Sequence, residues 1–340
     1  MAAPAAEPNI TVSELVSIVT ARLATDRSDR RIAKLVASVQ LQERLEQPVI
    51  AVLGELGAGP ATLEALEALA GESASLPRPT EEPVSRVPAP SDSEQAALAS
   101  AARGWSAAYL ASLPDFTCRR AVHQFRAESA KPKTPSEHWR IAGSNSGEAA
   151  YVRGHDYYRA TAVDGQPFRG SLERLHRDRS WGEFGGLMLE IMDPSREATL
   201  QWDRWEVLYG RRMAVFRYAV DQKHARYWLI SDVGSLSWMV TMGHRGFIYV
   251  NPQTGSIGRL VLYGNDIPPA SPIQAAGDVV DYADVSIAGN QVVLPVRAVS
   301  YQFTEIIEKK RKRIKETREE IEFSNYRKFE SNSTITFDTK

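Results

Sequence analysis

The residues with the most chemistry to offer are six histidines, two carboxylates around an apolar stretch, and one thiol. His123, His138, His155, His176, His224 and His244 are scattered, and no pair has metal-ligand spacing. His155 and Asp156 are adjacent, which in a strand points them to opposite faces. The chain has no His-Glu-x-x-His, no Gly-x-Ser-x-Gly and no phosphate-loop lysine motif. Gly182, Gly185 and Gly186 do not make a dinucleotide-type turn. Glu183 and Glu190, seven positions apart, share one face of the helix predicted around them, with no partner base in view for acid–base work. Cys118 is the single cysteine, so neither an internal disulfide nor a cysteine-based metal site can form. These residues point to a protein that is not an enzyme and that takes no cofactor or metal.

Charge sharpens that reading. Lys plus Arg number 41 against 42 Asp plus Glu, a net charge of −1, which gives no general attraction to nucleic acid. One mixed run, Glu308 to Glu322, carries Lys309, Lys310, Arg311, Lys312, Arg313, Lys315 and Arg318 among glutamates. As a charged hairpin tip it would protect a sheet edge. Its sharper reading is a peripheral contact with anionic membrane lipid or an acidic partner.

The apolar residues are more telling. Ser180 to Asp193 reads as a helix ended by Pro194, with Trp181, Phe184, Leu187, Met188, Leu189, Ile191 and Met192 around most of its circumference. A helix apolar on nearly all sides is buried or faces an apolar guest. Gly185-Gly186 lowers its propensity and permits hinging. It is either a core plug or a mobile lid. Aromatics then crowd the following strands: Trp202, Trp205, Tyr209, Phe216, Tyr218, Tyr227, Trp228 and Trp238. Trp202 and Trp205, three positions apart, should face opposite sides of a regular strand. Were these groups to line an apolar site, the helix would supply Trp181, Phe184, Leu187, Met188, Ile191 and Met192. The strands would add Trp202, Phe216, Tyr218, Trp228 and Trp238. The competing reading is that they fill a core.

The elements that must position these residues follow from periodicity. The chain has 340 residues, 43% of them hydrophobic and 24% charged, an ordinary globular balance with room for about two domains. No stretch approaches the ~18 apolar residues of a membrane-spanning helix. Residues 9–72 predict a small helical domain. Thr11 or Ser13 caps its first helix, a second carries an apolar stripe from Ile32 to Pro48, a third covers Val49 to Leu56, and Pro60 opens a fourth. Residues 73–93, with five prolines, predict an extended linker. Residues 94–340 predict one helix to Leu113 and then about a dozen strands. Turn signals are placed at Ser144–Gly147, Asp164-Gly165, Asp221–Lys223 and Ala288–Asn290. The last strands are Gln291–Pro295, Val296–Glu308, Arg313–Asn325 and Ser333–Phe337.

Short links force antiparallel neighbours, so the expected fold is α+β: a small helical N-terminal region and a large curved antiparallel half-barrel sheet covered by helices. The leading helix, the long strands, Gly246-Phe247-Ile248-Tyr249-Val250-Asn251-Pro252-Gln253-Thr254-Gly255-Ser256-Ile257-Gly258-Arg259-Leu260 and Asp281-Tyr282-Ala283-Asp284-Val285 together resemble the periplasmic lipoprotein-carrier (LolA/LolB/LppX-like) superfamily. Asn325-Tyr326-Arg327-Lys328-Phe329 and Gly182-Glu183-Phe184-Gly185 look like a family of exported proteins from acidobacteria-type genomes. The resemblance spans about residues 95–340. It implies a periplasmic protein whose concave sheet face, closed by helices, holds acyl chains, with lipid or a lipidated protein as partner. No ligand-contacting residue of the carriers transfers to a position here. The alternative is a structural or protein-interaction module with a self-filled core. Met1 to Pro8 lacks the basic and apolar regions of a secretory signal. That fits an exported chain whose leader is missing as well as a cytosolic tail.

Overall fold

The computed structural model describes residues 10–25, 28–55, 57–79, 88–129, 140–169, 182–209, 211–233, 236–308 and 311–329. The expected strand Ser333–Phe337 and the centre of the proline-rich stretch lie outside the described residues. The chain divides into two compact units. One takes in the described residues up to Gln95 together with Trp202–Val215, and the other holds Ala96–Gln201 with the residues from Phe216 onward.

The first unit contains α1 (Val12–Thr25), α2 (Asp29–Ala37), α3 (Gln47–Glu55) and α4 (Pro60–Glu72). Of the two predicted caps it is Thr11 that closes a capping box. Its Oγ accepts the Glu14 N–H at 3.1 Å, and the Glu14 carboxylate accepts the Thr11 N–H at 2.8 Å. Val12, Leu15, Val16 and Val19 pack with Ile32, Val36, Leu53 and Leu66 in one apolar cluster. The second helix stops at Ala37 and does not reach Pro48 as the apolar stripe suggested. Residues 40–42 instead pair with Ile10, whose N–H and C=O bond Gln40 and Gln42 at 2.9 Å each. Leu41 and Leu45 are buried from extended backbone. In the same unit Thr20 Oγ donates to Glu206 at 3.0 Å.

A fifth helix, α5 (Asp92–Ser112), begins with a second capping box. It uses Ser91 against Glu94. Then come β1 (Phe116–Ser129), β2 (Arg140–Val152), β3 (His155–Val163), β4 (Gln166–Pro167), the short helix α6 (Gly186–Met192) and a 3-10 turn, Pro194–Arg196. The remaining strands are β5 (Thr199–Leu208), β6 (Arg211–Val220), β7 (Trp228–Val233), β8 (Leu236–Thr241), β9 (Gly243–Val250), β10 (Ile257–Asn265), β11 (Ile273–Ile287), β12 (Asn290–Glu308) and β13 (Arg311–Lys328). Eleven strands form one sheet in the order β4-β3-β2-β1-β13-β12-β11-β10-β9-β6-β5. The sheet is open, with β4 and β5 as its two edges, and β7 and β8 form a separate hairpin. The fold is α+β, as expected.

Register shifts in the β1–β2, β1–β13, β2–β3, β9–β10 and β11–β12 pairs bend this sheet. Along β1, buried Phe116, Cys118, Arg120, Val122 and Gln124 alternate with less buried neighbours, so one face of the strand is interior. Three local expectations differ from the structure. Ser144–Gly147 is no turn; β2 runs straight through it, with Val122 opposite Asn145. Pro295 does not end a strand, because β12 continues past it at the register shift between Asp281 and Tyr282, where a missing N–H is tolerated. Nor does β6 pair with the strand after Asp221–Lys223; it lies beside β9, and β7 pairs with β8. The N–H groups of Arg226 and Tyr227, which a simple hairpin would have used, are taken by Glu190. The Ala288-Gly289 turn is present, with φ of 50° and 85°, the left-handed pair of a two-residue hairpin loop.

Candidate functional site

The segment from Gly182 to Met192 lies on the interior face of the sheet, and each of its two ends is fixed by a buried carboxylate. The expected helix over Ser180–Asp193 is shorter. Among its described residues only Gly186–Met192 are helical, and Gly182 has φ +93°, so the chain turns before the helix begins. Glu183 therefore precedes the helix and does not share a helical face with Glu190.

Glu183 is 3% exposed. The Tyr158 hydroxyl donates to its carboxylate at 2.7 Å, and Arg120 stands 3.9 Å away, its guanidinium 4.9 Å from the Tyr158 ring centre. Asp156 Oδ2 is 3.2 Å from the same hydroxyl. Burial followed by the Glu183 charge pushes Asp156 up to about 7, against the Tyr158 hydroxyl and the Gly182 N–H, which favour its charged form. Tyr282 donates to the Glu183 carbonyl at 3.2 Å and Tyr109, on α5, to the Phe184 carbonyl at 3.0 Å. The Phe184 ring meets Phe116 edge-on at 5.0 Å and Phe323 at 5.3 Å. On the interior face of β1 the Cys118 thiol is pushed up to about 12 by burial.

Glu190 forms the second anchor. Its carboxylate accepts the backbone N–H of Arg226 at 2.6 Å and of Tyr227 at 3.0 Å, and Arg196 Nε at 3.0 Å, with His244 Nε2 at 3.3 Å. Burial opposes its charge, but His244, the Arg226 N–H and Arg196 together bring it below the usual carboxylate range. A carboxylate this well supplied with donors is a fastener and a poor proton acceptor. His244 is fully buried between Tyr218 and Tyr227, at ring distances of 5.8 Å and 6.0 Å. Its Nδ1 and the Tyr218 hydroxyl have no hydrogen-bond partner among the described residues. Tyr227 donates to the Asp278 carboxyl group, which burial pushes up to about 6.

Between the anchors Phe184, Met188 and Ile191 are fully buried, and Leu187 and Met192 nearly so. Phe216 and Tyr218 are buried on β6. Trp202 belongs to the other compact unit, where it is half-buried. It touches Trp205 at 5.0 Å and does not face away from it, because β5 is an edge strand free to twist. Trp228 is 48% exposed. Trp181 and the side chain of Trp238 lie outside the described residues. Sequence reasoning passed over Arg120, Asp156, Tyr158, Arg196, His244 and Asp278 as anchor residues. Apart from Arg196, which lies in the 3-10 turn, their one visible signal was a set of polar residues at strand positions whose parity points inward.

Among the described residues no group of three His, Cys, Asp or Glu could hold a metal ion, and no helix is long and apolar enough to cross a membrane. Neither a family model nor a curated protein matches the chain. Two solved structures do. One is a LolA superfamily protein from Nitrosomonas europaea, 12% identical, with TM-score 0.30 over 72% of this chain and 98% of that one. The other is a DUF1329 family protein from Desulfovibrio piger, 10% identical, with TM-score 0.30 over 72% and 95%.

Proposed function

We propose that this protein is a non-enzymatic carrier or binding protein for a lipid or other apolar ligand, held on the interior sheet face beneath the 182–192 segment. Following the resemblance of the C-terminal region, we place it outside the cytoplasm. One observation carries the reading: an apolar cover, centred on Met188 and Ile191, is fastened at both ends by ionisable groups. A permanent plug has no need of them, since apolar side chains in place of buried ion pairs are often as stable or more so. Fasteners made of charge and hydrogen bonds suit a part that must be released. Once the cover lifts, acyl burial at about 25 cal/mol per Å² supplies affinity without any motif.

The complete burial of Phe184, Met188 and Ile191 favours a second reading, an interaction module whose core is filled by its own side chains. Native mass spectrometry of the purified protein and uptake of a fluorescent fatty acid separate the two. Glu183→Gln and Glu190→Gln loosen the cover, so the carrier reading expects both to take up the probe more strongly than the parent, in proportion to the open population. No co-purifying lipid, and no uptake by the parent or either variant, would establish the module.

A further inference from the structure

We infer that Tyr218, His244 and Asp278 form a headgroup subsite on the interior face, one that takes an uncharged hydroxyl-bearing lipid and turns away a fatty-acid carboxylate. The inference rests on the carrier reading above and names its ligand class. The sheet register lays the subsite out. Asp278 on β11 lies opposite Ser300 on β12, Ser300 opposite Glu319 on β13, and Glu319 opposite Gln124 on β1, so the four share one face. Asp278, Glu319 and Gln124 are buried. Gln124 Nε2 donates to Glu319 at 2.8 Å, and Ser300 bonds the Asp278 carboxyl group. Two residues further along each strand, about 7 Å away, Val280, Ala298, Ile321 and Val122 make an equally continuous row that is buried and wholly apolar. One more step along β13 is Phe323, which meets the Phe184 ring of the cover. An acyl chain lying along the strands would run from Phe323 over the apolar row and bring its headgroup to the polar one.

His244 and Tyr218 supply the open hydrogen-bonding capacity. They are 0% and 3% exposed, and neither His244 Nδ1 nor the Tyr218 hydroxyl has a partner among the described residues. Both rings stand at the Asp278 end of the polar row. Tyr227, whose hydroxyl donates to Asp278, meets the His244 ring at 6.0 Å, and Tyr218 meets that ring at 5.8 Å. Burial, then the Asp278 charge, pushes the Tyr218 phenol far above its usual range, so it keeps its proton. The Glu190 carboxylate is ionised and only accepts, so the nitrogen facing it, Nε2, carries the His244 proton. In the neutral ring Nδ1 is then a lone-pair acceptor. The hydroxyls of a glyceryl group provide what both open atoms lack, a donor for Nδ1 and an acceptor for the Tyr218 O–H. A carboxylate has no proton to give Nδ1. It would also stand among the carboxyl groups of Glu190, Asp278 and Glu319, where burial makes like charge costly. Arg196 is paired with Glu190 at 3.0 Å, Arg226 is exposed, and the polar row itself holds no Lys or Arg.

The test is displacement of the uncharged dye N-phenylnaphthylamine from the full chain at pH 8, by monolauroylglycerol and by laurate, each below its micellar concentration. Monolauroylglycerol is expected to displace the dye at a concentration about tenfold or more below that of laurate. Tyr218→Phe removes a hydroxyl that no described residue bonds, so the thermal midpoint should not fall. The variant should need about fivefold more monolauroylglycerol, with laurate unchanged. Equal displacement by the two lipids, or a variant that discriminates as well as the parent, overturns the inference. A lowered midpoint with discrimination unchanged also overturns it, since the hydroxyl would then hold only a buried water. Dye uptake without discrimination leaves the carrier reading standing and removes the subsite alone, whereas no dye uptake removes both.

Discussion

The Glu190 carboxylate accepts the backbone N–H of Arg226 at 2.6 Å, which joins the buried side of α6 to the root of a hairpin 36 residues further along the chain. Removing that carboxylate leaves Arg196 and two N–H groups without their acceptor inside the protein. Glu190→Ala should therefore lower the unfolding free energy by about 3 kcal/mol or more. Glu190→Gln, which keeps an acceptor oxygen, should lose less. Urea denaturation at neutral pH measures both, and equal midpoints for the two variants would show that the acceptor oxygen kept by glutamine contributes nothing.

Asp156 gives the fold a pH dependence of definite sign. Its carboxyl group ionises near 3.8 in the unfolded chain but only at about 7 in the folded one. Between those values the folded state binds the extra proton. The contribution is fully present below pH 3.8 and is lost as pH rises through 7. Asp278, raised to about 6, acts in the same direction. Glu190, whose pKa is lowered, acts oppositely: its contribution is present above its unfolded value of 4.5 and fades as pH falls through its lowered one. Asp156→Asn stays neutral throughout. It should match the parent near pH 4 and exceed it in stability at pH 8, with unfolding midpoints across that range as the measurement.

Much of the architecture was legible because local rules determined it. Thr11 before the first helix and Pro60 before the fourth each place an element within a few residues. The anchors were not legible. Glu183 meets Tyr158 and Arg120, and Glu190 meets His244, only because the sheet register brings distant strands under one segment. No spacing in the chain encodes those pairings. The second helix is a related case: its apolar stripe ran on to Pro48, past the backbone pairing of Leu41 with Ile10 that lies beyond the helix end.

Phe184 is the apolar counterpart of the two anchors. It is fully buried, with Phe116, Tyr158 and Phe323 around its ring. Phe184→Ala should reduce stability by about 3–5 kcal/mol, and Phe184→Leu by clearly less, because the cavity left is smaller. If instead the cover is easily displaced from this site, the alanine variant will unfold at nearly the parent's urea concentration.

Gly147 decides between the turn that composition suggests and the continuous strand that the structure contains. In a turn the glycine would be needed for its conformational freedom. Here it sits in β2 opposite Arg120 on one side and Ala160 on the other, beside the register shift with β3. A Cβ added at this position would lie 1.9 Å from the Arg159 carbonyl oxygen and 2.8 Å from the Ala160 Cα. Both neighbours are backbone, so relief requires the strands to separate. The expected outcome for Gly147→Ala is a loss of about 2 kcal/mol or more, with faster hydrogen exchange at the amides of β2 and β3. Gly154 has φ +83° in the β2–β3 turn and open space around it. Gly154→Ala should lose only about 1 kcal/mol from backbone strain and leave exchange inside both strands unaltered. The reverse order of severity would mean that the strand pairing at Gly147 is wrong.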